Sequence, residues 1–157
     1  MRLCAVRDVP LSIDEAIDAV KHPSAGAVAL FLGLVRDHND GREVTLLEYE
    51  AYASMAEKQM SKIMDGIEQE VEGVRLAAVH RVGRLEVGDA AIVCTASSAH
   101  RGEAFRAGQM LIDRIKADVP VWKREHGPEG PYWVGWEDAR CDRDDHDHGH
   151  DHGSKRS

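Results

Sequence analysis

The chain has 157 residues, the length of a single domain, and a domain of that size hides roughly 70% of its unfolded surface, so a real core is expected. Hydrophobic residues make up 43% and charged residues 31%, as in soluble globular proteins, and a net charge of -8 argues against a general nucleic-acid binder, which carries a basic face. Three scattered cysteines, Cys4, Cys94 and Cys141, form no Cys-x-x-Cys pair, no apolar run is long enough to span a bilayer, and no signal-peptide pattern opens the chain. The expectation is a cytoplasmic protein without a zinc knuckle or a disulfide framework.

In chain order, Arg2 to Val9 reads as a short strand. Ser12-Ile13-Asp14-Glu15 is a capping box and opens a short helix that ends near Pro23. The apolar run from Gly26 to Val35 suits a buried strand. It exits into the polar loop Arg36-Asp37-His38-Asn39-Asp40-Gly41, whose end favours a tight turn. Glu43 to Tyr52 alternates apolar and polar residues, a further strand. A second capping box, Ser54-Met55-Ala56-Glu57, is expected to open a long helix with Met60, Ile63, Met64 and Ile67 on one face, stopping near Gly73.

Val74 to Val82 and Asp89 to Ser97 read as strands joined by a connection over 83–88. Cys94 lies in the apolar run Ala90-Ala91-Ile92-Val93-Cys94 and reads as a small buried hydrophobe. A third helix is expected from about Arg101 to Ala117, with Phe105, Gly108, Leu111 or Ile112, and Ile115 inward. Pro120 stops it, because proline lacks the amide donor and clashes with the preceding turn. Val119 to Arg124 is extended, His126 to Pro131 is a turn, and Tyr132 to Glu137 is a last strand. Strand pairs interleaved with helices argue for an α+β domain over residues 1–140.

From Cys141 the composition changes. Residues 141–157 hold no apolar stretch to bury and are expected to be a disordered His/Asp-rich tail. His146, His148, His150 and His152 alternate with acids or glycine. They are a possible weak transition-metal site or simply part of a solubilising tail. No metal site is expected in the folded domain, and no cofactor.

The most informative stretch is Ile115-Lys116-Ala117-Asp118-Val119-Pro120-Val121-Trp122-Lys123-Arg124-Glu125, with Ser97-Ser98-Ala99-His100-Arg101 upstream. These segments set several cationic groups around one helix of an acidic protein. An anionic ligand would relieve their mutual repulsion, and a lysine crowded by cations gives up its proton more readily. A plainer reading stands beside this one. Lys116 near a helix end complements the helix dipole, Lys123 is an ordinary strand residue, and His100 and Arg101 cap the helix. For a lysine to act as base at neutral pH its value, near 10.4 when free, must fall by roughly 3, about 4 kcal/mol of electrostatic work. A lysine serving as a charge clamp needs no such change.

Several pieces coincide in order: Phe31-Leu32-Gly33-Leu34-Val35-Arg36, Leu47-Glu48-Tyr49-Glu50-Ala51-Tyr52 with Met55-Ala56, and His80-Arg81-Val82-Gly83 with Gly88-Asp89. Ser97 to Arg101, Ala104-Phe105 and Lys116 to Glu125 follow. Over roughly residues 1–138 the chain resembles the catalytic, larger subunit of molybdopterin synthase, the MoaE family. The resemblance implies an α/β hammerhead-type fold with an additional antiparallel sheet. It also implies a sulfurtransferase of molybdenum cofactor biosynthesis. The family enzyme converts cyclic pyranopterin monophosphate (precursor Z) to molybdopterin by inserting two dithiolene sulfurs. The sulfur comes from the C-terminal Gly-Gly thiocarboxylate of a small ubiquitin-like partner subunit, and the family assembles as a heterotetramer around a central homodimer. This chain ends in Lys-Arg-Ser and is not expected to be its own donor.

By the same resemblance, Lys116 and Lys123 are the catalytic candidates. Lys116 would neutralise the incoming thiocarboxylate, and Lys123 would be the acid or base that opens the cyclic phosphate. Arg36, His100 and Arg101 would hold phosphate and pterin, since arginine offers a planar fork and histidine a movable proton. Arg124 would add positive potential, Glu125 would orient a lysine or a pterin nitrogen, and the backbone at Leu34 and Val35 would face the ligand. Two other readings are kept: a metal-binding or scaffold module acting through the tail, and a lysine Schiff-base enzyme.

Overall fold

The computed structural model describes residues 2–134. The first strand, β1 (Cys4–Arg7), leads to a short helix, α1 (Ile13–Asp18). Ser12 caps that helix, its hydroxyl accepting from the Glu15 amide at 3.2 Å. Only half of the capping box forms, because the Glu15 carboxylate is taken by a two-pronged pair with Arg7 at 2.6 and 2.9 Å.

β2 (Ala27–Leu34) and a small hairpin, β3 (His38–Asn39) with β4 (Arg42–Glu43), follow. The residues joining the hairpin, Asp40 and Gly41, both have positive φ, 50° and 76°, as a tight two-residue hairpin turn demands. The loop expected there is therefore partly strand. β5 (Leu46–Glu50) precedes the long helix α2 (Ala53–Glu70). Its cap position is Tyr52, not Ser54, and no side chain caps it. Glu57, the acid of the second expected box, instead accepts from the Val6 amide at 2.9 Å and ties the helix to β1.

β6 (Arg75–Arg81), β7 (Gly83–Glu86) and β8 (Ala90–Ser98) lead to α3 (Arg101–Asp118), β9 (Trp122–Gly127) and β10 (Gly130–Val134). The connection expected over 83–88 thus contains a strand. The expected turn from His126 is shorter, since His126 and Gly127 still belong to β9.

The first sheet has the order β1-β6-β8-β2, with β1 parallel to β6 and the other neighbours antiparallel. Alternation along β6 and β8 gives each face its own core. Leu76, Ala78, Cys94 and Ala96 pack with Met60, Met64 and Ile67 of α2 and Leu111, Ile112 and Ile115 of α3. Val79 and Val93 pack with Ala16 of α1 on the other face. Beside them two buried hydroxyls donate to backbone carbonyls at 2.6 Å, Thr95 to Ala16 and Ser97 to Val20. Emptying such a core position, as in Leu111→Ala, costs about 2–5 kcal/mol.

β2 lies at the sheet edge with Val28, Leu30 and Leu34 exposed, so it is buried on one face only. Phe105, expected inside, is 67% exposed. Ala104, Ala107 and Gly108 hold α3 on the sheet instead; a Cβ at Gly108 would already meet Ala29 and Ala96 at 3.7 and 3.8 Å. So close an approach leaves no room for a ring.

The second sheet is antiparallel with the order β10-β9-β5-β7. Val35, Val44, Leu47, Leu85 and Ala91 form its small core, with Tyr49 at the margin. A mixed helix-and-sheet body with an added antiparallel sheet is the α+β architecture expected.

Candidate active site

Lys116 occupies the last turn of α3, where a cation complements the carbonyl end of the helix, and its side chain is exposed. Val119 closes the helix in an extended conformation (φ -86°, ψ 120°), as a residue before proline requires. Pro120 ends the helical ladder, and β9 begins two residues later.

Along β9 the side chains alternate between faces. Register sets Lys123 opposite Tyr49 and Glu125 opposite Leu47, so these four share the face that covers the small core. Trp122, Arg124 and His126 take the other face. There Arg124 lies over the Trp133 ring at 5.8 Å, and His126 Nε2 meets Glu48 Oε1 at 3.0 Å. Arg124 therefore points away from Lys123 and Glu125 and does not lend its charge directly to their side of the sheet.

Glu125 is only 2% exposed, and a carboxylate at that depth needs partners. Lys123 Nζ lies 3.5 Å from Glu125 Oε1, and the Asn39 amide donates to the same oxygen at 2.5 Å. Asn39 Oδ1 in turn accepts from Arg36 Nη2 at 3.4 Å. The hairpin after β2 is thereby joined to β9, and Arg36 to Lys123, through two polar groups. Asn39 was not a candidate on sequence. The contact spans 86 positions, and a lone asparagine before Asp-Gly reads as turn chemistry.

Tyr49 stands edge-on to the His80 ring, centroids 5.3 Å apart. Burial raises the Tyr49 phenol above its usual value, and the negative Glu125 raises it further. Burial lowers the His80 value, opposed in part by a 2.8 Å hydrogen bond from Nδ1 to the Arg81 carbonyl. Cys94 is a buried thiol pushed up to about 12 by desolvation, an inert packing group.

His100 and Arg101 sit at the opposite end of α3. His100 is the cap residue and makes no side-chain capping bond. Arg101 and Lys116 are fifteen positions apart on the helix, roughly 22 Å along the axis. Their backbones thus lie at opposite ends of the helix. Leu34 is 54% exposed beside an irregularity in the β2–β8 register. Val35 donates its amide to the Asp89 carbonyl at 3.0 Å and accepts from Gly88 at 2.9 Å. The Val35 N–H is thus spent within the fold, while its carbonyl keeps a second lone pair.

Among the described residues no group of three or more His, Cys, Asp or Glu side chains is placed to hold a metal ion, and no helix is long and apolar enough to cross a membrane. The tail histidines and the last residues of the expected final strand lie outside the described residues.

Residues 6–118 match the family model described as MoaE protein. The chain is 48% identical over 132 residues to molybdopterin synthase catalytic subunit 1 of Mycobacterium tuberculosis, covering 84% of this chain and 90% of that protein. It is 44% identical over 131 residues to the molybdopterin synthase catalytic subunit of Halalkalibacterium halodurans, covering 83% and 84%. Among solved structures, the crystal structure of molybdopterin synthase from Staphylococcus aureus superposes with a TM-score of 0.82 at 37% identity, covering 86% of this chain and 98% of that one. The chain belongs to the MoaE family.

Proposed function

We propose that this chain is the catalytic subunit of a molybdopterin synthase. Its substrate is cyclic pyranopterin monophosphate, and its sulfur donor is the thiocarboxylated C-terminus of a small ubiquitin-like partner. The observation that carries this reading is the Lys123–Glu125 pair, set on the inner face of β9 and joined to Arg36 through Asn39. A charged pair in that position costs desolvation energy that packing alone does not require. It suits a site that receives an anion and moves a proton.

Arg36 and Lys123 face the phosphate. Lys123, held by Glu125, delivers or accepts the proton as the cyclic phosphate opens and water leaves. Lys116 neutralises the thiocarboxylate and the charge that develops as its sulfur attacks; its exposed place at the end of α3 leaves room for another chain to enter. The relatives' designation as catalytic subunits implies a companion chain.

A second copy of this chain supplies His100 and Arg101. The roughly 22 Å between the backbones of Arg101 and Lys116 supports a site shared between two copies. Val28, Leu30 and Phe105 are exposed apolar residues that self-association would cover. Arg101, at the amide-rich end of α3, is well placed for an anion.

Reconstitution tests the reading. The chain, precursor Z and a thiocarboxylated partner together yield molybdopterin, and omitting the partner abolishes the product. Product formed without any donor protein argues against it.

A further inference from the structure

We propose that Asn39 is a positioning residue of this site, coupling Arg36 on the substrate-binding loop to the buried carboxylate that holds Lys123. This inference rests on the sulfur-transfer reading given above.

The geometry asks for a group that donates and accepts at once. Asn39 Nδ2 donates to Glu125 Oε1 at 2.5 Å, while Asn39 Oδ1 accepts from Arg36 Nη2 at 3.4 Å. An amide has both functions, whereas an ionised carboxylate only accepts. Lys123 Nζ approaches the same Glu125 oxygen, at 3.5 Å. Whatever fixes that oxygen also fixes the ammonium. The backbone is built to present Asn39, which immediately precedes the positive-φ pair Asp40-Gly41 and pairs with Arg42 across the hairpin.

Charged and titratable groups reach this node from β2, β5 and β9. Arg36 comes from the end of β2, Lys123 and Glu125 from β9, and Tyr49 from β5. In backbone register, Arg42 of β4 is the partner of Asn39, and Tyr132 of β10 that of Glu125. The adjacent Asp37 and His38 pair with each other at 2.7 Å.

Asn39→Asp supplies a signature that general damage to the fold does not. A second carboxylate against Glu125 raises the proton affinity of the pair, because like charges disfavour double ionisation. Below the pair's upper pKa, one shared proton gives the introduced carboxyl group an O–H donor and restores the wild-type pattern. Above it, two anions repel each other and the donor at position 39 is lost.

The test compares the wild type, Asn39→Ala and Asn39→Asp, each assembled with the thiocarboxylated partner, and measures kcat and KM for precursor Z against pH. Thermal melts identify temperatures at which all three are folded. Asn39→Ala is expected to lose about 10- to 100-fold in kcat/KM at every pH, the worth of a hydrogen bond to a charged group. Asn39→Asp is expected to approach wild-type turnover at low pH and to fall away as pH rises. Undiminished kcat/KM in folded Asn39→Ala, or a pH-independent ratio of Asn39→Asp to wild type, overturns the proposal. Should Asn39→Ala not fold, the Asn39→Asp ratio decides alone. A wild-type enzyme that makes no product in the same assay strikes the sulfur-transfer reading, whereas an active wild type with unaffected variants strikes only the role of Asn39.

Discussion

Arg101 and Lys116 stand at opposite ends of α3, roughly 22 Å apart along its axis, although both are expected to serve one reaction. If two copies share each site, inactive chains can complement one another. A mixture of Lys116→Ala and Arg101→Ala chains contains hybrid dimers in which one of the two sites has both wild-type groups. The mixture is expected to recover up to about a quarter of wild-type turnover by random pairing, while each variant alone stays near background. Activity no greater than the sum of the separate variants rules out the shared site.

Lys116 itself makes an independent prediction. Its side chain is exposed at the helix end, so Lys116→Ala removes a charge without opening the core. Turnover is expected to fall by two orders of magnitude or more, in the range typical of a lost proton-transfer or charge-stabilising group. The melting temperature should barely change. A folded Lys116→Ala enzyme with undiminished rate removes the residue from the mechanism.

Glu125 is expected to couple stability to activity. It is 2% exposed, while the Lys123 side chain is 32% exposed, so water screens the pair from one side only. Glu125→Ala strands the ammonium and the Asn39 amide. It is expected to cost on the order of 2–3 kcal/mol, below the full range for a buried pair because Lys123 keeps some hydration. Denaturant titration measures this. The double variant Lys123→Met with Glu125→Leu is expected to recover much of the stability and none of the turnover.

His80 makes stability sensitive to acid. Burial holds its folded value below the ordinary 6.5, so the native chain takes up this proton only at lower pH than the unfolded chain does. As pH falls through about 6.5 the unfolded chain binds a proton that the folded chain does not, and folding weakens by at most about 1.4 kcal/mol per pH step from this group. The loss is absent above that window. His80→Phe gives up the bond to the Arg81 carbonyl but is expected to show a shallower decline between pH 7 and 5. Parallel stability curves for the two chains would falsify this assignment.

What the sequence revealed was local. Ser12 capped its helix as its spacing requires, and Pro120 stopped α3. Where the reading slipped, a distant partner had intervened. Glu57 serves Val6 of β1 instead of closing a box with Ser54. Phe105 matches the helical period yet lies outside, because small residues bring α3 too near the sheet for it. β7 looked like a connection because only Leu85 of its residues is buried. Strand alternation could have set Arg124 apart from Lys123 and Glu125, whereas the Asn39–Glu125 bond, spanning 86 positions, has no periodic signal at all.

The most direct measurement is molybdopterin formation from precursor Z by the purified chain, with and without a thiocarboxylated small partner. The account predicts product only when that partner is present, and almost none when Lys116 or Lys123 is alanine. Equal product with the partner left out, or none with every component supplied to a folded enzyme, would contradict it.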